Sequence, residues 1–236
     1  MQPPEGNQMA HTATEPGAVL LDADGTLVDS TYLHVDAWMR AFALVGVHVQ
    51  AWRVHRAIGM GSSQLVASLI GDDGAERLGN QVSDYHEALY LDVAGRVHPL
   101  PGARELVMEI ARRGARPVLA TSAAPAELER LRAALDVDEH LYAITSSKDV
   151  TTAKPDPELV RTALERAGTA PERTIMLGDA VWDVIAARRA GIECVAVRTG
   201  GIGPGELREA GALAVYEDVA ALRDDLDDGP LARAWR

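Results

Sequence analysis

Two aspartates separated by one residue, Asp22 and Asp24, stand directly after the apolar run Ala18 to Leu21, in the segment Asp22-Ala23-Asp24-Gly25-Thr26-Leu27-Val28-Asp29. In extended backbone, positions i and i+2 point the same way, so both carboxylates can face one ligand. Gly25 lets the chain turn sharply and come close to that ligand. A free backbone N–H and the Thr26 hydroxyl then stand ready as donors to a phosphate group. Taken alone, the segment reads equally well as a turn, because Asp and Gly are turn formers.

Three further segments stand at the ends of apolar runs or in the loops that follow them. Arg116 to Thr121 closes on Thr121-Ser122, which brings a hydroxyl and an N–H, although such pairs also cap helices. Lys154 lies in Thr151-Thr152-Ala153-Lys154-Pro155-Asp156-Pro157, a loop stiffened by two prolines. Only Lys148 and Lys154 are lysines among 23 basic residues, so a lysine here answers a need for a compact point charge better than a solvated surface does. The run Thr174 to Leu177 leads into Gly178-Asp179-Ala180-Val181-Trp182-Asp183, with Asp179 and Asp183 one helical turn apart. Each of these two could merely cap or start a helix. Aimed at the same place as Asp22 and Asp24, they would repel strongly unless a cation sat among them, and with a phosphate as co-ligand Mg²⁺ is favoured.

The elements that must position these groups alternate. Short β-type runs at Ala18 to Leu21, Arg116 to Thr121, Tyr142 to Thr145, Thr174 to Leu177 and Ile192 to Val197 are separated, after the second, by helical patterns at Pro125 to Leu135, Pro157 to Ala167 and Val181 to Ala190. This predicts an α/β fold with a Rossmann-like parallel sheet and right-handed crossovers, whose ligands sit beyond the carboxyl ends of the strands. About 95 residues separate the first two runs, and they hold only helical patterns: Tyr32 to Val45, Ala51 to Ile58, Ser62 to Ile70 and Ala75 to Ala94. The spacing predicts an inserted α-helical cap at 30–97, with the core formed by 18–29 and 98–236 and a hinge at His98-Pro99-Leu100-Pro101-Gly102. Residues 1–17, rich in Pro, Gly and polar side chains, read as a disordered leader.

Composition sets the outer limits. The chain has 236 residues, 47% hydrophobic and 25% charged, with a formal charge of −12. That charge disfavours nucleic acid, whose binding needs a stripe of basic side chains. No run approaches the roughly 18 apolar residues that span a bilayer. The single cysteine, Cys194, lies in an apolar run and suits a reducing compartment, so a cytoplasmic protein, monomer or homodimer, is expected.

Taken in order, DADGTLVDS, the Thr121-Ser122 strand end, Lys154-Pro155, and Gly178-Asp179 with Asp183 resemble the four motifs of the haloacid dehalogenase superfamily, from Ala18 to about Leu222. The resemblance implies a Mg²⁺-dependent phosphatase acting on a small phosphate ester of the phosphoglycolate or sugar phosphate type. It implies Asp22 as nucleophile forming an aspartyl-phosphate, and Asp24 as acid and base. Lys154 and Thr121 would stabilise the transferring group, with Gly25, Thr26 and Ser122 helping to bind it. The metal would be held by Asp22, Asp179, the backbone carbonyl of Asp24 and, through water, Asp183. Dehalogenases proper lack an acid at the position of Asp24, and phosphonatases use a cap lysine that 30–98 does not contain.

The insert resembles the helical cap of phosphoglycolate phosphatase and β-phosphoglucomutase. Its loop Arg56-Ala57-Ile58-Gly59-Met60-Gly61 is expected to reach the substrate, through Arg56 and Gly59. Trp38, Phe42, Leu44 and Trp52 are expected in the cap core, and His34, His48 and His55 as surface or packing residues. A phosphomutase is the second reading, against which Thr26 weighs, and a non-catalytic ester-binding protein the third.

Overall fold

A computed structural model describes residues 16–236. The expected leader therefore lies outside the described residues except for Pro16 and Gly17. The latter already belongs to the sheet: its N–H donates to the Ala234 carbonyl (3.0 Å) and its carbonyl accepts from the Arg116 N–H (2.9 Å).

Six strands form one parallel sheet: β1 (Ala18–Leu21), β2 (Arg116–Ala120), β3 (Ala143–Thr145), β4 (Thr174–Gly178), β5 (Glu193–Val197) and β6 (Ala214–Tyr216), in the order β3-β2-β1-β4-β5-β6. The chain builds outward from β1 to β3, then crosses back to lay β4 on the other side of β1. That reversal opens a crevice beyond the carboxyl end of β1, flanked by the ends of β2 and β4.

The strands read as unbroken apolar runs because helices cover both faces. Alternate residues go to opposite sides. Val19, Leu21, Leu119, Ile175 and Leu177 pack with Leu106 and Ile110 of α5 (Ala103–Arg112), Leu131 and Leu135 of α6 (Pro125–Leu135), and Val219 and Leu222 of α10 (Val219–Asp224). Leu20, Val118, Met176 and Cys194 meet Val160 and Ala163 of α7 (Glu158–Ala167), Val184 and Ala187 of α8 (Val181–Ala190), and Leu207 of α9 (Pro204–Ala210). Elements α5, α9, β6 and α10 are additional to those expected from the sequence pattern. The last three are short, α9 carries a glycine at its second position, and β6 is a half-buried edge strand of three residues.

Between β1 and α5 lie α1 (Thr31–Leu44), α2 (Ala51–Ala57), α3 (Ser62–Ile70) and α4 (Asp72–Val93). Val35, Trp38 and Phe42, spaced to share one face of α1, join Val54, Leu65, Val66 and Val82 in a hydrophobic cluster of their own. Leu44 and Trp52, expected there, are 60% and 65% exposed. Leu44 is the last residue of α1 and Trp52 falls in the first turn of α2, where the helices have already turned away from the packed face. The chain leaves and re-enters this cap region through two paired segments: Asp29 N–H donates to His98 O (2.9 Å) and Leu100 N–H to Leu27 O (2.8 Å). Among the described residues, no helix is long and apolar enough to cross a membrane.

Leu20 is fully buried in the central strand. Leu20→Ala should cost about 2 to 5 kcal/mol of unfolding free energy by urea titration. Leu44→Ala should change it by less than about 0.5 kcal/mol.

Candidate active site

Asp22 extends the central strand by one residue, its N–H donating to Leu177 O (3.0 Å), and its side chain enters the crevice almost fully buried. The chain then turns back on itself. Gly25, at φ +76, closes the turn by donating to Val28 O (2.9 Å), and a Cβ there would stand 2.4 Å from Asp179 Oδ2. Only glycine suits both the backbone and the space. The Thr26 N–H is spent on Ala23 O, and its hydroxyl contacts Asp22 Oδ2 (3.3 Å) and Asp179 Oδ1 (3.0 Å). Of the two residues expected to bind substrate, Gly25 and Thr26, both have their N–H groups spent within the turn, and the Thr26 hydroxyl faces the carboxylates. At the ends of β1 and β2, the backbone N–H groups of Ala23, Asp24 and Ser122 have no hydrogen-bond partner among the described residues.

Lys154, 1% exposed, bonds Asp22 Oδ1 and Asp183 Oδ1 (2.7 Å) through its Nζ. The other Asp183 oxygen accepts from the N–H groups of Asp179 (3.2 Å) and Ala180 (3.0 Å), which fixes it at the start of α8. Asp22, Asp179 and Asp183 each offer an oxygen within 4.8 Å of the others, and all three are buried. Burial pushes the Asp22 carboxyl up to about 7, with Lys154 opposing that rise and Asp183 adding to it. Burial likewise drives Asp179 well above the carboxylate range, helped by the charges of Asp183 and Asp22. Burial works against the Lys154 charge, but Asp183 and Asp22 more than offset it and hold the ammonium above the ordinary lysine range. One ammonium does not balance three buried carboxylates, and a hard divalent cation with oxygen ligands fits the remainder.

Gly200, after β5, belongs to this cluster as well. A Cβ at that position would stand 1.6 Å from Asp179 Oδ2. The signal for it in the sequence is the Gly200-Gly201 pair shortly after an apolar run.

Asp24 faces a second group. Its Oδ1 accepts from Ser30 Oγ (2.6 Å) and lies 3.2 Å from His34 Nε2, which also meets Glu127 Oε1 at 3.1 Å. His34 Nδ1 lies 3.2 Å from His86 Nε2, and the His34 ring stacks on Tyr90 with centroids 3.9 Å apart. Burial disfavours a charge on His34, yet Glu127 and Asp24 reverse this and push it up to about 10. Burial likewise disfavours charge on Asp24, but the bond and charge of His34 hold it below the usual carboxylate range. His34, expected as a surface or packing residue, does pack on Tyr90, and it also links α1 to the core beside the second aspartate. Glu127, in the first turn of α6, was also missed, since nothing local marks a helix-start glutamate as a site residue.

These groups line a small cavity of about 70 Å³ between core and cap. Asp22, Asp24, Ser122, Glu127 and Lys154 come from the core, while His34, Trp38, Gly59, Met60, Ser62, Leu65 and His86 come from the cap helices and their loops. Ser122 Oγ is buried without a partner. Thr121 Oγ1 accepts from the Ala123 N–H (3.1 Å) and does not line the cavity, although its own proton remains free to donate. Arg56 is not brought in: its guanidinium pairs with Glu206 on the outside (2.7 Å), while its carbonyl accepts from Trp182 Nε1 (3.1 Å). His55 to Gly200 O (2.8 Å) and Gly61 N–H to Lys154 O (3.2 Å) complete the contact between cap and core.

Residues 16–191 match the model of a hydrolase family described as haloacid dehalogenase-like hydrolase. The chain is 32% identical over 231 residues to a phosphoglycolate phosphatase (plasmid) of Cupriavidus necator, covering 96% of this chain and 100% of that protein. It is 30% identical over 206 residues to a phosphorylated carbohydrates phosphatase of Thermotoga maritima, covering 85% and 94%. Among solved structures, a hydrolase from Pseudomonas syringae superposes with a TM-score of 0.85 at 34% identity, covering 90% of this chain and 98% of that one. With its motifs at the ends of the central strands and these likenesses along most of its length, the chain belongs to the haloacid dehalogenase-like hydrolase family.

Proposed function

We propose that this chain hydrolyses a small phosphate monoester through an aspartyl-phosphate on Asp22, with Mg²⁺ as its metal. The observation that carries the reading is the placement of Asp22 Oδ1 on Lys154 Nζ, within the buried set completed by Asp179 and Asp183, while Asp24 faces a separate proton-bearing group. Asp22, Asp179 and the Asp24 carbonyl would hold the metal, with Asp183 behind them. When bound, it supplies positive charge against the transferring phosphoryl oxygens.

The residues themselves account for the remaining steps. An Asp22 oxygen forms a bond to phosphorus as the bond to the alcohol oxygen breaks. The departing oxygen takes a proton relayed through Asp24: His34 Nε2, 3.2 Å away, gives its proton to that carboxylate as the carboxylate hands one to the alcohol. In the second half, water attacks phosphorus and gives its proton to Asp24, and the Asp22–phosphorus bond breaks to release phosphate. Lys154 neutralises charge on the group in transfer, and Ser122 Oγ with the free N–H groups of Ala23 and Asp24 can donate to its oxygens. The cap excludes bulk water from the cavity. A cytoplasmic setting goes with this reading, in keeping with the single buried cysteine.

Asp22→Asn should keep the fold and lower kcat by at least about a thousandfold, as loss of a nucleophile does elsewhere. Phosphate release near the wild-type rate from that variant would sink the assignment. Chelation by EDTA should abolish turnover and added Mg²⁺ restore it, and thermal unfolding should move upward with Mg²⁺. Gly200→Ala, through its collision with Asp179, should weaken that Mg²⁺-induced shift by displacing a ligand. An unchanged shift would remove Gly200 from the site.

A further inference from the structure

Asp22, Asp179 and Asp183 carry six carboxylate oxygens between them, and five of these meet a donor from Thr26, Lys154 or the start of α8. Asp179 Oδ2 meets none among the described residues. It is held by contact alone, between Gly25 and Gly200, where an added Cβ on either would collide with it.

Gly200 is the closer of the two, and its place is set from two sides. On the core side, Arg198 to Gly201 form a tight turn closed by the Gly201 N–H on Arg198 O (2.9 Å), and the Thr199 hydroxyl donates to the Gly25 carbonyl. On the cap side, His55 Nε2 lies 2.8 Å from the Gly200 carbonyl. A carbonyl only accepts, so Nε2 carries the proton of this bond. The His55 ring stacks on Tyr32 of α1, with centroids 5.2 Å apart and planes 12° from parallel. Both rings lie against Gly201, where an added Cβ would stand 3.0 Å from His55 Nε2 and from the Tyr32 hydroxyl. Two cap helices thus close on the loop that is pressed against Asp179.

We infer that His55 is a positioning residue for Asp179, acting through the Gly200 carbonyl, so that seating of the cap and binding of the cation reinforce one another; this rests on the metal site of the reading above. With the cap seated, His55 fixes Gly200, and Gly200 confines Asp179 Oδ2. With the cap raised, the turn loses its bond from α2 and the oxygen is less well prepared for a cation. A cation that binds the seated state better must, by linkage, also favour seating. His55 itself does not line the cavity.

Calorimetric titration of Mg²⁺ into the full chain, without substrate, tests this. His55→Ala should raise the Kd by about fivefold or more, the low end of coupling between two sites. His55→Gln, whose amide N–H can donate to the same carbonyl, should recover most of that loss. Glu206→Gln cuts a different contact between cap and core, the exposed pair with Arg56, and should leave the Kd within about twofold of wild type. Mg²⁺ should also slow amide exchange in α2 of the wild type, and not in His55→Ala. Should His55→Ala fail to fold, Tyr32→Ala, which strips the exposed ring from His55, takes its place with a smaller rise. An unchanged Kd in His55→Ala, an equal rise in Glu206→Gln, or α2 exchange indifferent to Mg²⁺ in the wild type overturns the link. Failure of the wild-type chain to bind Mg²⁺ overturns the metal site on which it stands.

Discussion

A buried lysine held between two buried aspartates organises this molecule. Lys154 arrives from the loop before α7, Asp22 from the end of β1 and Asp183 from the first turn of α8, so a single ammonium joins three separately folded pieces of the core. Removing one partner of such a group strands the others as unpaired charges at low dielectric. The surroundings therefore have to be polar on the inside and tightly shaped. Thr26 holds the carboxylates from behind, the N–H groups of Asp179 and Ala180 fix Asp183, and two glycines keep space clear around Asp179. The excess of negative charge that remains is what lets the same pocket accept a dication and a phosphoryl group together.

The second aspartate is governed by a different logic. Asp22 is surrounded by charges that pull in opposite directions, whereas Asp24 meets a histidine that carries a proton and shares it with Glu127. Two carboxylates one residue apart thus occupy unlike environments, as nucleophile and acid/base roles require. The cap takes part directly, because His34 belongs to α1 and rests on Tyr90 of α4. Closure of the cap and preparation of the proton-transferring group are one event in this geometry.

What could be read from the sequence was what is local. Asp22 at a strand end, Lys154 in a proline-stiffened loop, and Asp179 with Asp183 one turn apart are each set by neighbours in the chain, and the structure gathers all of them. The sheet followed from apolar runs whose burial on both faces leaves a strong signal, while β6, three residues at a half-buried edge, left almost none. The direction in which a side chain points was not legible. The sequence offers Thr26 as a substrate donor, and its hydroxyl turns inward to the carboxylates. Arg56 was expected at the substrate and pairs with Glu206, a partner that only the fold brings near. His34 and Glu127 were invisible for the same reason, since their meaning lies in a contact between segments far apart in the chain.

The two segments that join cap and core are hydrogen-bonded to each other rather than running free. Bonded in this way, the two ends of the cap leave and rejoin the core at a single junction and cannot slide past one another. That junction sets the register in which Trp38, Met60 and His86 lie over the catalytic crevice.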